Sequence, residues 1–175
     1  IKVQRLARDF NPGAVGTVTG GRAALLRYLI ESGRVPVIAS IGMLEDGTLL
    51  NVNADDAASG VARSVGARAL LLLTDVPGVL DADGEVIRTL DSKTIEQAIK
   101  DGIITGGMVP KVEAARSAAA DANCPVVIGS WSNARVLSHP LDPDTVATSI
   151  LPPATIETNP FSSSTRVDTI FRAPA

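Results

Sequence analysis

The chain has 175 residues, 45% of them hydrophobic, 20% charged and only 3% aromatic, a composition that fits one globular domain with an Ala/Val/Leu/Ile core and excludes a disordered or fibrous chain. Lys and Arg number 16 against 19 Asp and Glu, giving a net charge of −3 with no basic stripe, so a nucleic-acid partner is not expected. A single cysteine, Cys124, and a single histidine, His139, exclude a disulfide framework, a Cys-based zinc site and a paired-histidine metal motif.

Taken in order, Thr19 to Ser32 carries Leu25, Leu26, Leu29 and Ile30 at helical spacing, and Gly33 stops it. Val35 to Ser40 is a β-rich run of strand type. An Asp-Gly turn within Leu44 to Thr48 leads to a second extended run, Leu49 to Val52, so a hairpin is expected. Small residues from Ala54 to Val65 predict a helix packed close to a neighbour. Ala69 to Thr74 is apolar on both faces, the pattern of a central parallel strand, and Asp75 to Val79 is a loop. Asp81 to Glu85 reads as a turn; it lacks the final Glu and the preceding helix of a calcium loop.

Asp91-Ser92 caps a helix carrying Ile95, Ala98 and Ile99 that closes at Gly102. A second, alanine-rich helix is expected from about Pro110 to Asn123, then a buried strand at Pro125 to Ile128 and a short helix at Asn133 to Leu137. Trp131 is expected to pack at the end of its strand, and Cys124 to be a small buried residue rather than a nucleophile. The alternation predicts an α/β fold with a largely parallel sheet sandwiched by helices in three layers. Residues 1–151 form the expected domain and 152–175 a Pro/Ser/Thr-rich tail. No apolar run is long enough to span a membrane and no signal peptide is visible, so the expected location is cytoplasmic, without a membrane partner.

Three polar constellations fall where an α/β sheet binds ligands, at the carboxyl ends of strands. In Asn51-Val-Asn53-Ala-Asp55, alternation puts both amides on one face and the carboxylate in the first helical turn. Such a set can hold a polar ligand, and taken alone ordinary helix capping by Asn53 or Asp55 is the favoured reading of the same residues. Thr74-Asp75-Val-Pro-Gly78-Val79-Leu80 follows the most apolar strand and offers a hydroxyl and a carboxylate to a nucleotide; a plain strand-exit turn is the alternative. In Ile103-Ile104-Thr105-Gly106-Gly107-Met-Val-Pro110-Lys111, paired glycines precede a helix N-terminus whose unpaired N–H groups and early lysine suit a triphosphate. The spacing is not that of a Walker A loop, and Val18-Thr-Gly-Gly21 lacks the further glycine of a dinucleotide fold.

Together and in this order, these stretches resemble the acetylglutamate kinases of the amino acid kinase superfamily. The matching runs are Val35 to Gly42, Asn51 to Ala58, Leu71 to Leu80 and Gly106 to Glu113, with Gly13 to Gly16 and Val126 to Trp131 fitting the same pattern. The resemblance implies transfer of the γ-phosphoryl of ATP, with Mg2+ held through the nucleotide phosphates, to the side-chain carboxylate of N-acetyl-L-glutamate, a step of arginine biosynthesis. It assigns Asn51 and Asn53 to the amino-acid substrate and Lys111 to the transferring phosphoryl. Asp55 is to position the site's lysine rather than act as a base, because a carboxylate acceptor is already ionised. Thr74, Asp75, Gly78, Val79, Leu80 and the run Ile103 to Gly107 are to bind the nucleotide.

In that family an N-terminal lobe carrying a lysine, two glycine pairs and a substrate-gripping arginine precedes the region that begins here at Asn11. Ile1-Lys2-Val3 is not followed by paired glycines, so the chain is expected to hold the nucleotide half and to be unable to turn over alone. Homo-oligomerisation, or pairing with the missing lobe, is the expected partnership. Ser132 to Arg135 and Val146 to Thr148 depart from the pattern of arginine-inhibited members, so feedback by arginine is not expected. A kinase of an aminoadipate-type carboxylate and a non-catalytic nucleotide-binding subunit are the alternatives.

Overall fold

A computed structural model describes residues 1–6, 14–21 and 23–153. Gly13 and the expected tail from residue 154 onward lie outside the described residues. The strands form two four-stranded sheets. The first holds β1 (Lys2–Arg5), β2 (Gly16–Gly20), β3 (Ile41–Met43) and β4 (Leu49–Asn51) in the order β2-β1-β3-β4. The second holds β5 (Leu70–Thr74), β6 (Thr89–Leu90), β7 (Val126–Ser130) and β8 (Thr148–Ile150) in the order β5-β7-β8-β6. The pairs β1–β3, β5–β7 and β6–β8 are parallel, whereas β1–β2, β3–β4 and β7–β8 are antiparallel.

Five helices connect and cover the strands among the described residues: α1 (Ala23–Glu31), α2 (Ala54–Val65), α3 (Ser92–Lys100), α4 (Met108–Ala122) and α5 (Ala134–Ser138). Local chemistry sets several of their ends. The Asn53 side chain accepts from the Asp55 and Asp56 amides to start α2. Asp91 caps α3 through the Lys93 and Thr94 amides, and Thr94 Oγ1 accepts from the Asp91 amide in return. Helix α4 begins at Met108, two residues ahead of the expected Pro110.

The second sheet carries the main core. All five residues of β7 are buried. Val126 and Ile128 face Ile95 of α3 and Val112, Ala115 and Ala119 of α4, while Val127 packs with Val136 of α5 and Ala147 on the other face. That gives the expected three layers at β7. Helix α2 crosses α4 with small side chains at the contact, tied by Ser59 to Asp121 at 3.0 Å and by an ion pair of Arg63 with the same carboxylate.

Three expected elements differ. Residues 16–20, partly counted within the first helix, form β2, so α1 starts only at Ala23. Val35 to Ser40 belongs to no strand; the hairpin partner of β4 is instead β3, with Met43 opposite Leu49 across the Asp46-Gly47 turn. β5 is an end strand of its sheet rather than a central one. For Val35 to Ser40 and for β5 the strand pattern is present and the available backbone partner decides the outcome, whereas Thr19 and Gly20 join the strand paired with β1 instead of the helix.

Candidate functional site

The parallel register of β5 and β7 sets Thr74 beside Ser130 at the carboxyl end of both strands, and the Trp131 amide donates to the Thr74 carbonyl at 3.0 Å. Lys111, in the first turns of α4, reaches this end from the side. Its Nζ donates to Thr74 Oγ1 at 2.8 Å, and that hydroxyl donates in turn to Asp75 Oδ1 at 2.9 Å. The Thr74 hydroxyl, with help from the residue's own amide and the Lys111 charge, holds the Asp75 carboxyl below its ordinary range. The result is an ammonium, a hydroxyl and a carboxylate in a chain at the strand ends, with Lys111 half-buried and Asp75 exposed.

The loop after β5 is tightly built. A Cβ on Gly78 would lie 2.7 Å from Thr148 Oγ1 and 2.8 Å from Val86, so only glycine fits there. The Val79 amide donates to Thr148 Oγ1 at 2.8 Å, and Val79 is fully buried, while Leu80 is partly exposed. The loop before α4 splits similarly. The Ile103 and Ile104 amides both donate to the Ala98 carbonyl, and Ile104 enters the core. Thr105, Gly106 and Gly107 are exposed, Gly106 has a φ of +55°, and the Gly106 and Gly107 amides have no acceptor among the described residues. These amides, the α4 N-terminus and Lys111 form a positive rim suited to phosphate oxygens.

The third constellation lies apart. Asn51, at the end of β4, is exposed on the same side of its sheet as Leu49, whereas Asn53 is spent on the α2 cap. Asp55 is exposed and borders a cleft of about 420 Å³ between α2 and α4, with Asp56, Ser59 and Arg63. No hydrogen bond or ion pair joins Asp55 to Lys111, whose side-chain partner is Thr74. Among the described residues no group of three His, Cys, Asp or Glu side chains is placed to hold a metal ion.

Residues 2–130 match the model of the amino acid kinase family. The chain belongs to that family. An acetylglutamate kinase of Photorhabdus laumondii is 42% identical over 151 residues, which are 86% of this chain and 58% of that protein. One from Geobacillus kaustophilus is 48% identical over 118 residues, 67% of this chain and 45% of that protein. Among solved structures, the protein smu.665 of Streptococcus mutans UA159 superposes with a TM-score of 0.64 at 32% identity, covering 86% of this chain and 56% of that one. The chain thus spans about half the length of the curated relatives it matches.

Sequence reasoning named no site residue on the β7 side of this candidate site. Ser130 and Ser132 share a hydrogen bond of 2.8 Å beside Thr74, and Trp131 is 66% exposed rather than packed at its strand end. Parallel pairing of two strands that both end in a hydroxyl residue was the available signal, but it required knowing that β5 and β7 are neighbours. Cys124 is buried as expected, and burial pushes its thiol up, away from nucleophile chemistry.

Proposed function

We propose that this chain carries the nucleotide-binding part of a kinase that phosphorylates the side-chain carboxylate of N-acetyl-L-glutamate, using MgATP, in arginine biosynthesis. The observation that carries this reading is Lys111, anchored on Thr74 at the mouth of the α4 N-terminus. Support for the acceptor comes from the relatives named acetylglutamate kinase. A carboxylate oxygen attacks the γ-phosphorus, the bond to the β,γ-bridging oxygen breaks, and ADP leaves. No base is required. A phosphoryl oxygen is a stronger acceptor than the Thr74 hydroxyl, so Lys111 moves onto the transferring group and offsets its charge. The Gly106 and Gly107 amides take phosphate oxygens, Thr74, Asp75 and Ser130 face the nucleotide, and Asn51 contributes to the acceptor pocket. Gly78, Val79, Leu80, Ile103, Ile104 and Thr105 shape the nucleotide walls. Asn53 and Asp55 act by fixing the entry of α2 beside that pocket.

Trapping the acyl phosphate as its hydroxamate tests the reading, with the chain assayed alone and then with the unmatched portion of a relative. Binding of MgADP by the chain alone is expected, with product only in the second assay and at least a ~100-fold loss for Lys111→Ala. Nucleotide binding without product in either assay overturns the kinase reading in favour of a binding subunit.

A further inference from the structure

The strand ends that hold Lys111 also carry an aromatic side chain that the core does not use. Trp131 is the first residue beyond β7, and its amide donates to the Thr74 carbonyl at 3.0 Å. β7 itself is buried throughout, yet Trp131 is 66% exposed. A tight turn keeps it there. The Ser130 and Ser132 hydroxyls share a hydrogen bond of 2.8 Å, and the Asn133 amide donates to the Ser130 carbonyl at 3.0 Å. Burial of a side chain as large as an indole is among the strongest single apolar contributions to a fold, and this turn forgoes it. Among the described residues the other Tyr, Phe or Trp is Tyr28, on α1.

Charge orders the surroundings of this side chain. Lys111 and the Gly106 and Gly107 amides, the groups that attract phosphate, stand on the α4 side of the strand ends. Asp75, the residue after Thr74, is an exposed carboxylate that repels phosphate and accepts hydrogen bonds from sugar hydroxyls. A nucleotide lying across these ends keeps its phosphates at Lys111 and runs its ribose past Asp75. Its base then stands one sugar further on, at the β7 rim. A base offers a flat π face, and an aromatic side chain is the group that complements it.

We propose that Trp131 is a specificity-determining residue that stacks on the base of the bound nucleotide. This rests on the nucleotide reading above, and it selects nucleoside di- and triphosphates over bare polyphosphates. The Ser130–Asn133 turn holds the backbone of Trp131 in place beforehand, so less freedom is lost on binding.

The test uses the full chain, whose one tryptophan makes its fluorescence specific to this position. MgADP is expected to change the emission and to shield the indole from acrylamide, and magnesium pyrophosphate to do neither. By calorimetry, Trp131→Leu is expected to weaken MgADP by about tenfold and to leave magnesium pyrophosphate unchanged, with Trp131→Phe keeping most of the affinity. Lys111→Ala is expected to weaken both ligands. Equal MgADP affinity in the parent and Trp131→Leu overturns the proposal, as does an equal loss for the two ligands, which makes Trp131 a support of the phosphate rim. An indole as open to acrylamide with MgADP bound as without it overturns the proposal with no variant needed. If neither ligand binds the parent, the nucleotide reading falls and this proposal with it. If both bind and only Lys111→Ala weakens them, that reading stands and this proposal alone falls.

Discussion

The two sheets are built from similar residues and end in different states. β7 is apolar on both sides and covered on both, by α3 and α4 below and α5 above. β3 and the Leu49-Leu50 part of β4 are also apolar on both sides, yet only the Gly42 and Leu50 side is covered. Burial of one Val or Ile side chain stabilises by roughly 1.5–3 kcal/mol, so β7 collects a stabilisation that the bare side of β3 and β4 forgoes. The contrast teaches that an apolar strand pattern reports how many faces a strand is suited to bury, not how many it buries within this chain.

The sharpest way to break that comparison is to truncate the same residue type in both sheets. Ile128→Ala in β7 is expected to cost about 2–5 kcal/mol, because a fully buried side chain leaves a cavity between packed layers. Ile41→Ala in β3 is expected to change stability by no more than about 0.5 kcal/mol. Urea unfolding of the two variants measures both, and similar losses would mean that the β3 face is covered in solution. A second contrast lies within the first sheet. A Cβ on Gly42 would sit 2.0 Å from Val3 Cγ1, whereas one on Gly20 meets nothing within 4 Å. Gly42→Ala is therefore expected to lose about 1–3 kcal/mol by overpacking the covered face. Gly20→Ala should be nearly silent in the same urea titration, and equal behaviour of the pair would contradict the close approach of β1 and β3.

The same distinction explains what could be read from the chain beforehand. α2 was legible to the residue because its signals are local: an Asx cap at Asn53 and small residues from Ala54 to Val65. The α3 cap at Asp91 was legible for the same reason. Val35 to Ile38 was not, because strand propensity cannot form a ladder without a partner, and none is present among the described residues. The centrality expected of Ala69 to Thr74 failed likewise, since among the described residues only β7 flanks the strand. At the candidate site, Thr74 and Lys111 were each visible, but their contact joins residues 37 apart in sequence and emerges only from the packing of α4 against the sheet. Lys111 donates to Thr74 here, and Asp55 makes no hydrogen bond or ion pair with it.

Asn53 separates capping from ligand binding at the boundary of the two regions. Its side chain accepts two amides, so Asn53→Ala is expected to cost about 1 kcal/mol by removing the cap, and Asn53→Asp to retain most of it. Thermal unfolding checks this, and an Ala variant as stable as the parent would free the side chain for a ligand role.

The smallest expected effect is in acid, and it compares one carboxylate from each sheet. Asp46 accepts from the Thr48 amide in the β3–β4 turn, and Asp91 accepts from the Thr94 and Lys93 amides at the start of α3. Hydrogen bonds from these backbone amides hold both carboxyls below their ordinary range. A carboxyl depressed in the folded state contributes stability above its unfolded value, and the contribution is lost as the pH falls through the folded one. Both contributions are thus present at neutral pH and disappear below about pH 4. Asp91 caps a helix of the doubly covered sheet, so Asp91→Asn should flatten the acid limb of the whole-molecule unfolding curve. Asp46 closes a hairpin whose outer face is bare, so Asp46→Asn should change amide exchange only across residues 41–51. Exchange at low pH followed by mass spectrometry distinguishes the two. If Asp46→Asn moved the global curve as far as Asp91→Asn, the first sheet would be unfolding together with the second, and its bare face would not be a weak point of the molecule.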